Sequence, residues 1–172
     1  TTTLIQGFKI TNGGGSNGGG MLIQNASPKL NELSVINNSV TDGNGAGIYL
    51  SSSSLIIQHS SISYNTAEFV VSGFEGGGGI YLEYSSAIFR SVNVTNNYTP
   101  AFGGGVLAKN STPTFNNVII SGNTSTGGAG IHFDNSSGIF NDGIISHNSS
   151  VSPPGGGGIY ISDGSPHITN TI

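Results

Sequence analysis

The chain has 172 residues, of which 29 are glycine and only 7% are charged, and it contains no cysteine or tryptophan. The absence of cysteine excludes disulfides, and the formal net charge of −4 argues against nucleic-acid binding because no basic stripe is present to neutralise phosphates. No apolar run approaches the roughly 20 residues that cross a bilayer, so we expect no membrane insertion.

Glycine triplets recur along the chain, and each is followed by an alternating apolar pattern. The triplets start at Gly18, Gly45, Gly77, Gly103, Gly128 and Gly156. The intervals between these starts are 27, 32, 26, 25 and 28 residues, a period typical of a solenoid or repeat array. We therefore treat each repeat as one coil and count positions from its first glycine, which is position 0.

Three short strands are predicted in each coil, in a fixed order after the glycines. The first carries inward apolar side chains at positions 3 and 5, the second at position 12 and the third at position 17. In the second triplet's coil these are Ile48, Leu50, Ile57 and Ile62. Runs of this kind are typical of buried parallel strands. The pattern predicts one all-β domain over residues 1–172, a parallel β-helix of about six to seven coils stacked at about 4.8 Å.

Position 20 holds asparagine in every coil that reaches it. Because Asn tolerates a left-handed backbone and its amide can hydrogen-bond to the same amide one coil away, this column predicts a structural ladder at a turn. The glycines are predicted where the backbone needs a positive φ or where coils approach too closely for a Cβ. The asparagine column consists of Asn38, Asn65, Asn97, Asn123 and Asn148.

Position 4 lies between two inward positions, so its side chains are expected to point outward. Two interpretations stay open: stacking between strands that favours β-structure, or an exposed contact surface for a partner or a sugar. At position 6, Glu83, Lys109 and Asp134 are expected to stack with alternating sign. The expected contact ribbon at position 4 consists of Tyr49, Tyr81, His132 and Tyr160.

The coils differ most in length after the asparagine column, so their loops are predicted along one edge of the solenoid. The longest loop, residues 66–76, contains Phe69 and Phe74, which we expect to pack on the body or on a neighbour. Several N-x-[ST] sequons also occur, and ladder asparagines could not carry a glycan. The candidate N-glycosylation sites are therefore the outward asparagines Asn25, Asn93, Asn110 and Asn135.

The GG[GA]-[IVM] segments, as in GGGIYL at Gly77 and GAGIHF at Gly128, resemble those of right-handed parallel β-helix proteins of the pectate-lyase-like superfamily. They are also similar to the repeats of polymorphic membrane proteins of cell surfaces. The resemblance implies right-handed coils. It also implies an alternative function as a polysaccharide lyase or glycoside hydrolase, in which acidic residues and a Lys or Arg base cluster on the solenoid.

For that alternative, the best candidate cluster is Lys109 with Asp134 and Asp163, which fall on neighbouring coils. The histidines are scattered over different positions, so we expect no metal site and no cofactor. We predict instead a non-catalytic, extracellular structural scaffold or surface adhesin that is glycosylated and forms filaments, with a carbohydrate-binding or polysaccharide-degrading β-helix as the alternative. Its expected partners are glycans and further copies or neighbouring β-helix segments stacked end to end, because both ends of the sequence stop within the repeat pattern.

Overall fold

The computed structural model describes residues 3–68, 75–152 and 155–171, which form short parallel strands and no helix. Each strand pairs in register with its counterpart one coil away, so that Ile80 lies between Ile48 and Val106. The predicted all-β stack of coils is confirmed. Phe69 and Phe74, expected to pack on the body, lie outside the described residues.

Three long sheets run along the stack, as the three apolar strand patterns predict. Sheet I follows the glycine triplets and contains Met21–Gln24, Ile48–Ser51, Ile80–Glu83, Val106–Lys109, Ile131–Asp134 and Ile159–Ile161. Sheet II contains Leu4–Gln6, Lys29–Asn31, Ile56–Gln58, Ile88–Arg90, Thr114–Asn116, Ile139–Asn141 and His167–Thr169. Sheet III contains Lys9–Thr11, Ser34–Ile36, Ser61–Ser63, Asn93–Thr95, Ile119–Ser121 and Ile144–Ser146.

A fourth set of strands, which the sequence did not predict, follows the asparagine column. We call it sheet IV although it is formed in two pieces, joined through isolated bridges at Tyr98. Its strands are only two or three residues long and mostly polar, so their alternation is too brief to stand out in the sequence. They are Gly14–Gly15, Ser39–Thr41 and Thr66–Glu68 in one piece, and Thr124–Ser125 and Ser149–Ser150 in the other.

The inward columns form one continuous apolar core along the axis. It includes a stack of phenylalanines from sheet II, in which the ring centroids of Phe89 and Phe115 are 4.8 Å apart and those of Phe115 and Phe140 are 5.4 Å apart. All three side chains are fully buried. Burial of such a side chain contributes about 1.5–3 kcal/mol, so the core holds neighbouring coils together.

The asparagine column forms a buried hydrogen-bonded ladder between sheets III and IV. Asn65 Nδ2 donates to Asn97 Oδ1 at 2.9 Å and to the carbonyl of Val35 at 3.1 Å, while Asn97 Oδ1 also accepts the Asn65 backbone N–H at 3.0 Å. The same pattern runs from Asn38 to Asn148. The residue with the left-handed backbone conformation is the one before each ladder asparagine, such as Tyr64 with φ 54°, and not the asparagine itself. The chain therefore turns just before the ladder position.

A second ladder, of serines, runs along the corner between sheets I and II. The backbone N–H of Ser53 donates to Ser85 Oγ at 3.2 Å, that of Ser85 to Ser111 Oγ at 3.0 Å, and that of Ser111 to Ser136 Oγ at 2.9 Å. Each hydroxyl in turn donates to a carbonyl two residues earlier in its own coil. The serines at position 8 are the sequence signal for this ladder.

The glycine triplets form tight corners that lead into sheet I. Gly77 adopts a φ of 68°, which suits glycine. A Cβ on Gly79 would lie only 2.6 Å from the carbonyl oxygen of Gly105 in the next coil. The triplets are therefore positions of close backbone contact and not flexible linkers.

Candidate binding cleft on sheet I

The outward column of sheet I is buried, contrary to the prediction of an exposed contact ribbon. Tyr49, Tyr81 and His132 are 8%, 1% and 5% exposed, and only Tyr160 is half-buried. The Tyr49 and Tyr81 rings stack at 5.1 Å with an interplanar angle of 9°. This face is covered because residues that precede the glycine triplets fold back over it.

Glu75 is one of these covering residues, and it binds two side chains of sheet I. One carboxylate oxygen lies 2.6 Å from Lys109 Nζ, and the other accepts the hydroxyl of Tyr81. Tyr49 donates to Glu83 Oε2 at 2.9 Å, and burial together with this contact raises the pKa of Tyr49 to about 12. The outer face of sheet I is thus a network of tyrosine hydroxyls and carboxylates.

Phe102 covers the next part of the same face. Its backbone N–H donates to the carbonyl of Glu75, and its own carbonyl accepts the N–H of Gly77, both at 2.9 Å. A Cβ on Gly127 would lie 3.0 Å from Phe102 Cδ1, so the glycine leaves room for the ring. The ring centroid lies 5.1 Å from His132 and 6.1 Å from Tyr160.

A cleft of about 250 Å³ opens beside this aromatic group and crosses three coils. Positions 4 and 6 of successive sheet I strands form its floor, and Glu75 and Phe102 form its sides. We call it the sheet I cleft. Its lining residues are Glu75, Phe102, Leu107, Lys109, His132, Asp134, Tyr160 and Ser162.

The predicted charge column at position 6 is present, but its lysine pairs elsewhere. Lys109 lies between Glu83 and Asp134 in strand register, yet its ion pair is formed with Glu75. The hydrogen bond that Lys109 donates to Glu75 raises the pKa of Lys109, and the charges of Glu75, Asp134 and Glu83 act in the same direction. Glu75 was missed as a partner because it lies in a segment of variable length.

His132 is held by a short hydrogen-bonded chain that ends at Asp134. His132 Nε2 lies 2.9 Å from Ser162 Oγ, and that hydroxyl lies 3.2 Å from Asp134 Oδ1. Burial lowers the pKa of His132 to about 4, although the nearby Asp134 charge opposes this shift. The imidazole is therefore neutral at neutral pH, and its buried Nδ1 has no hydrogen-bond partner within the described part of the chain.

The structure brings together only part of the lyase-like cluster predicted from the sequence. Lys109 and Asp134 both line the cleft, whereas Asp163 is exposed and lies outside its lining. Asp163 is at position 7 of its coil, one residue past the column that holds Lys109 and Asp134 at position 6. Ser162, its neighbour, contacts Asp134 instead.

A second hollow at the surface contains fewer ionisable side chains than the sheet I cleft. It measures about 590 Å³, lies against the first coils, and is lined by apolar, hydroxyl and amide side chains without an ionisable group. Among the residues that the structure describes, no three His, Asp or Glu side chains are grouped as a metal site would require. Within the same residues, no helix has the length and apolar character to cross a membrane.

The candidate glycosylation sites are more exposed to solvent than the ladder asparagines. Asn25, Asn93 and Asn135 are exposed, and Asn110 is half-buried. Asn135 Nδ2 donates to Asn110 Oδ1 at 2.7 Å, so these two form an outer pair on adjacent coils. The ladder sequons begin at Asn97, Asn123 and Asn148, whose amides are engaged in the ladder.

The fold and the continuous ladders define a parallel β-helix repeat protein. The family model described as the right handed beta helix region matches residues 1–172. The chain therefore belongs to the right-handed β-helix family, which also gives the hand of its coils. No curated protein and no solved structure matches it.

Proposed function

We propose that this protein is an extracellular, non-catalytic adhesin whose β-helix is the rigid support and whose sheet I cleft binds a carbohydrate. The observation that carries the proposal is the aromatic wall of Phe102, His132 and Tyr160 beside a small set of polar groups. A sugar ring has an apolar face and a hydroxyl edge. Pockets that bind small ligands pair an apolar, often aromatic, lining with a few placed polar groups in this way.

The support function rests on the two ladders. Asn65, Asn97 and Asn123 use their amide donors and acceptors within the stack, and the serines satisfy backbone N–H groups along the opposite corner. Satisfied buried polar networks make a structure rigid. A rigid sheet face fixes the floor of the cleft, which favours binding because little ordering is needed on association.

The pKa shifts in the cleft favour binding over polysaccharide cleavage. A lysine that abstracts a proton must first lose its own, and the pKa of Lys109 is raised by its contact with Glu75. A histidine with a pKa of about 4 is neutral but only weakly basic. Efficient general bases have pKa values near the working pH instead. These shifts oppose lyase chemistry by either residue.

Calorimetric titration with a panel of oligosaccharides tests the proposal. We expect at least one to bind, and Phe102→Ala to weaken that binding about tenfold, because one aromatic contact contributes about 0.5–1.5 kcal/mol beyond its buried area. Phe8→Ala is the matched control, since Phe8 is 60% exposed and lies outside the cleft. Equal loss in both variants, or no binding by any sugar, would contradict the proposal.

A further inference from the structure

The sheet I cleft carries more negative than positive charge. Two of its lining residues are acidic, Glu75 and Asp134, and one is basic, Lys109, while Glu83 lies next to Lys109 in strand register. The other basic side chains belong to sheets II and III: Lys9, Lys29 and Arg90. By sequence, residues 69–74 (FVVSGF) add no charge. An anionic ligand therefore meets net repulsion in this cleft.

The cleft is also richer in hydrogen-bond acceptors than in donors. Ser162 has one hydroxyl proton, and the charged Asp134 is its stronger acceptor, so Ser162 donates to Asp134 and accepts from His132 Nε2–H. The acceptor that a ligand can reach is therefore the half-buried carboxylate of Asp134, because His132 Nδ1 is buried within the fold.

The site therefore favours a ligand that carries hydrogen-bond donors and a positive charge. Hydroxyl groups supply hydrogen-bond donors, whereas a protonated amine supplies three N–H donors and the positive charge together. Lys109 does not take this place, because its ammonium is already paired with Glu75. Asp134, which accepts only the Ser162 hydroxyl among the side-chain contacts of the described residues, is the acceptor best placed for an incoming amine.

We propose that the sheet I cleft selects an amino sugar, a hexosamine unit with a free, protonated amine, over a uronate or an N-acetylated sugar. This inference rests on the proposed carbohydrate-binding function and names its ligand class. Asp134 pairs with the amine, and the wall of Phe102 and Tyr160 contacts the apolar face of the ring. The negative charges of Glu75 and Glu83 add long-range attraction for the protonated amine.

Calorimetry with three tetrasaccharides of equal length tests the inference: a glucosamine oligomer, its N-acetylated counterpart and a galacturonate oligomer. The titrations are made at mildly acidic pH, where the amines are protonated and His132, with its pKa of about 4, is still neutral. We expect the glucosamine oligomer to bind about tenfold more tightly than the N-acetylated one, because a charged amine forms a stronger hydrogen bond with a carboxylate than a neutral amide does. Added salt should reduce the difference.

Asp134→Asn identifies the residue responsible. The variant should bring the affinities of the two hexosamine oligomers to within about twofold of each other, because it removes the charged acceptor. Asp142→Asn is the matched control, because Asp142 is exposed at the corner between sheets II and III. It should keep the preference for the free amine.

Failure of this inference can be told apart from failure of the proposed function. Tightest binding of the galacturonate oligomer, or equal binding of both hexosamine oligomers, overturns the amino-sugar selectivity and leaves carbohydrate binding intact. Absence of binding by all three oligomers, and by the wider oligosaccharide panel, overturns both. Selectivity that survives in Asp134→Asn also rejects the assignment of the acceptor.

Discussion

The rings of Phe102, His132 and Tyr160 form a triangle, in which the imidazole centroid of His132 lies 5.1 Å from that of Phe102 and 4.7 Å from that of Tyr160. Its neighbour Asp134 favours the protonated ring, yet burial has the larger effect and lowers the pKa to about 4. In the unfolded chain the same side chain has an ordinary pKa of about 6.5. Between these two values the unfolded chain binds more protons than the folded one.

His132 is therefore expected to make stability depend on pH. Its contribution is fully present above about pH 6.5 and is lost as the pH falls toward 4, by at most about 3 kcal/mol. In His132→Leu the urea midpoint should fall less across this window than in the unaltered chain. Leucine is a suitable replacement because Leu107 occupies the same position in the preceding coil and is 2% exposed.

The control for this prediction is His167→Leu, which removes an exposed histidine from sheet II. Carboxylates also titrate in this pH range, so the informative quantity is the difference between variant and unaltered chain. An unchanged pH dependence in His132→Leu would show that the buried imidazole does not govern it.

A methyl group added at Gly79 tests how closely the neighbouring coils are packed. Gly79→Ala places its Cβ 2.6 Å from the Gly105 carbonyl oxygen, so we expect a loss of about 1–3 kcal/mol from overpacking. Gly14→Ala is the matched change, because nothing lies nearer than 3.8 Å to its Cβ. Chemical denaturation of both variants measures the difference, and equal stability would mean that the coils can separate slightly at little cost.

The ladder is an element made of one side chain from each coil, and its middle members have neighbours on both sides. Asn97→Ala leaves the Asn65 backbone N–H, one Asn65 amide proton and Asn123 Oδ1 short of a partner. Each lost partner in a buried position costs about 1–3 kcal/mol. We expect a loss of about 3–5 kcal/mol in the free energy of unfolding, measured with urea.

Two comparisons make that prediction specific to the ladder. Asn148→Ala should cost less, because Asn148 is only half-buried and water can replace part of its contacts. Asn93→Ala removes an exposed asparagine from sheet III and should be nearly neutral. If Asn97→Ala were no worse than Asn93→Ala, the ladder would not stabilise the stack.

The repeat made sheets I to III and the asparagine ladder predictable because each of their columns contains one class of residue at a regular spacing. Ile48, Ile80 and Asn97 could be placed on this ground alone. The cleft could not, since it depends on Glu75 and Phe102. Those residues precede the glycine triplets in segments whose length changes between coils, and no spacing rule indicates that they fold over Tyr81 and His132. Burial of the outer face was missed for this reason.

Across the whole molecule, the stack contains two groups of asparagines: those whose side chains are exposed to solvent and those whose amides are hydrogen-bonded in the ladder. In a cell that glycosylates, we expect glycans on Asn25, Asn93 and the Asn110–Asn135 pair, and none on the ladder sequons. Since Asn110 and Asn135 share a 2.7 Å hydrogen bond on adjacent coils, one glycan should hinder the second. Glycopeptide mapping checks both points, and glycans found mainly on Asn97 and Asn123 would contradict them.

The hydrogen bonds between strands all run along the stacking axis and join each coil to its neighbours. In such a quasi-one-dimensional stack, a chain pulled from one end loads one coil interface at a time. Rupture of each interface releases 25 to 32 residues, the interval between successive glycine triplets, or roughly 80 to 115 Å of extended chain. The molecule should therefore yield to tension by peeling in steps of one coil, so that a tether made from it would lengthen in stages instead of failing at once.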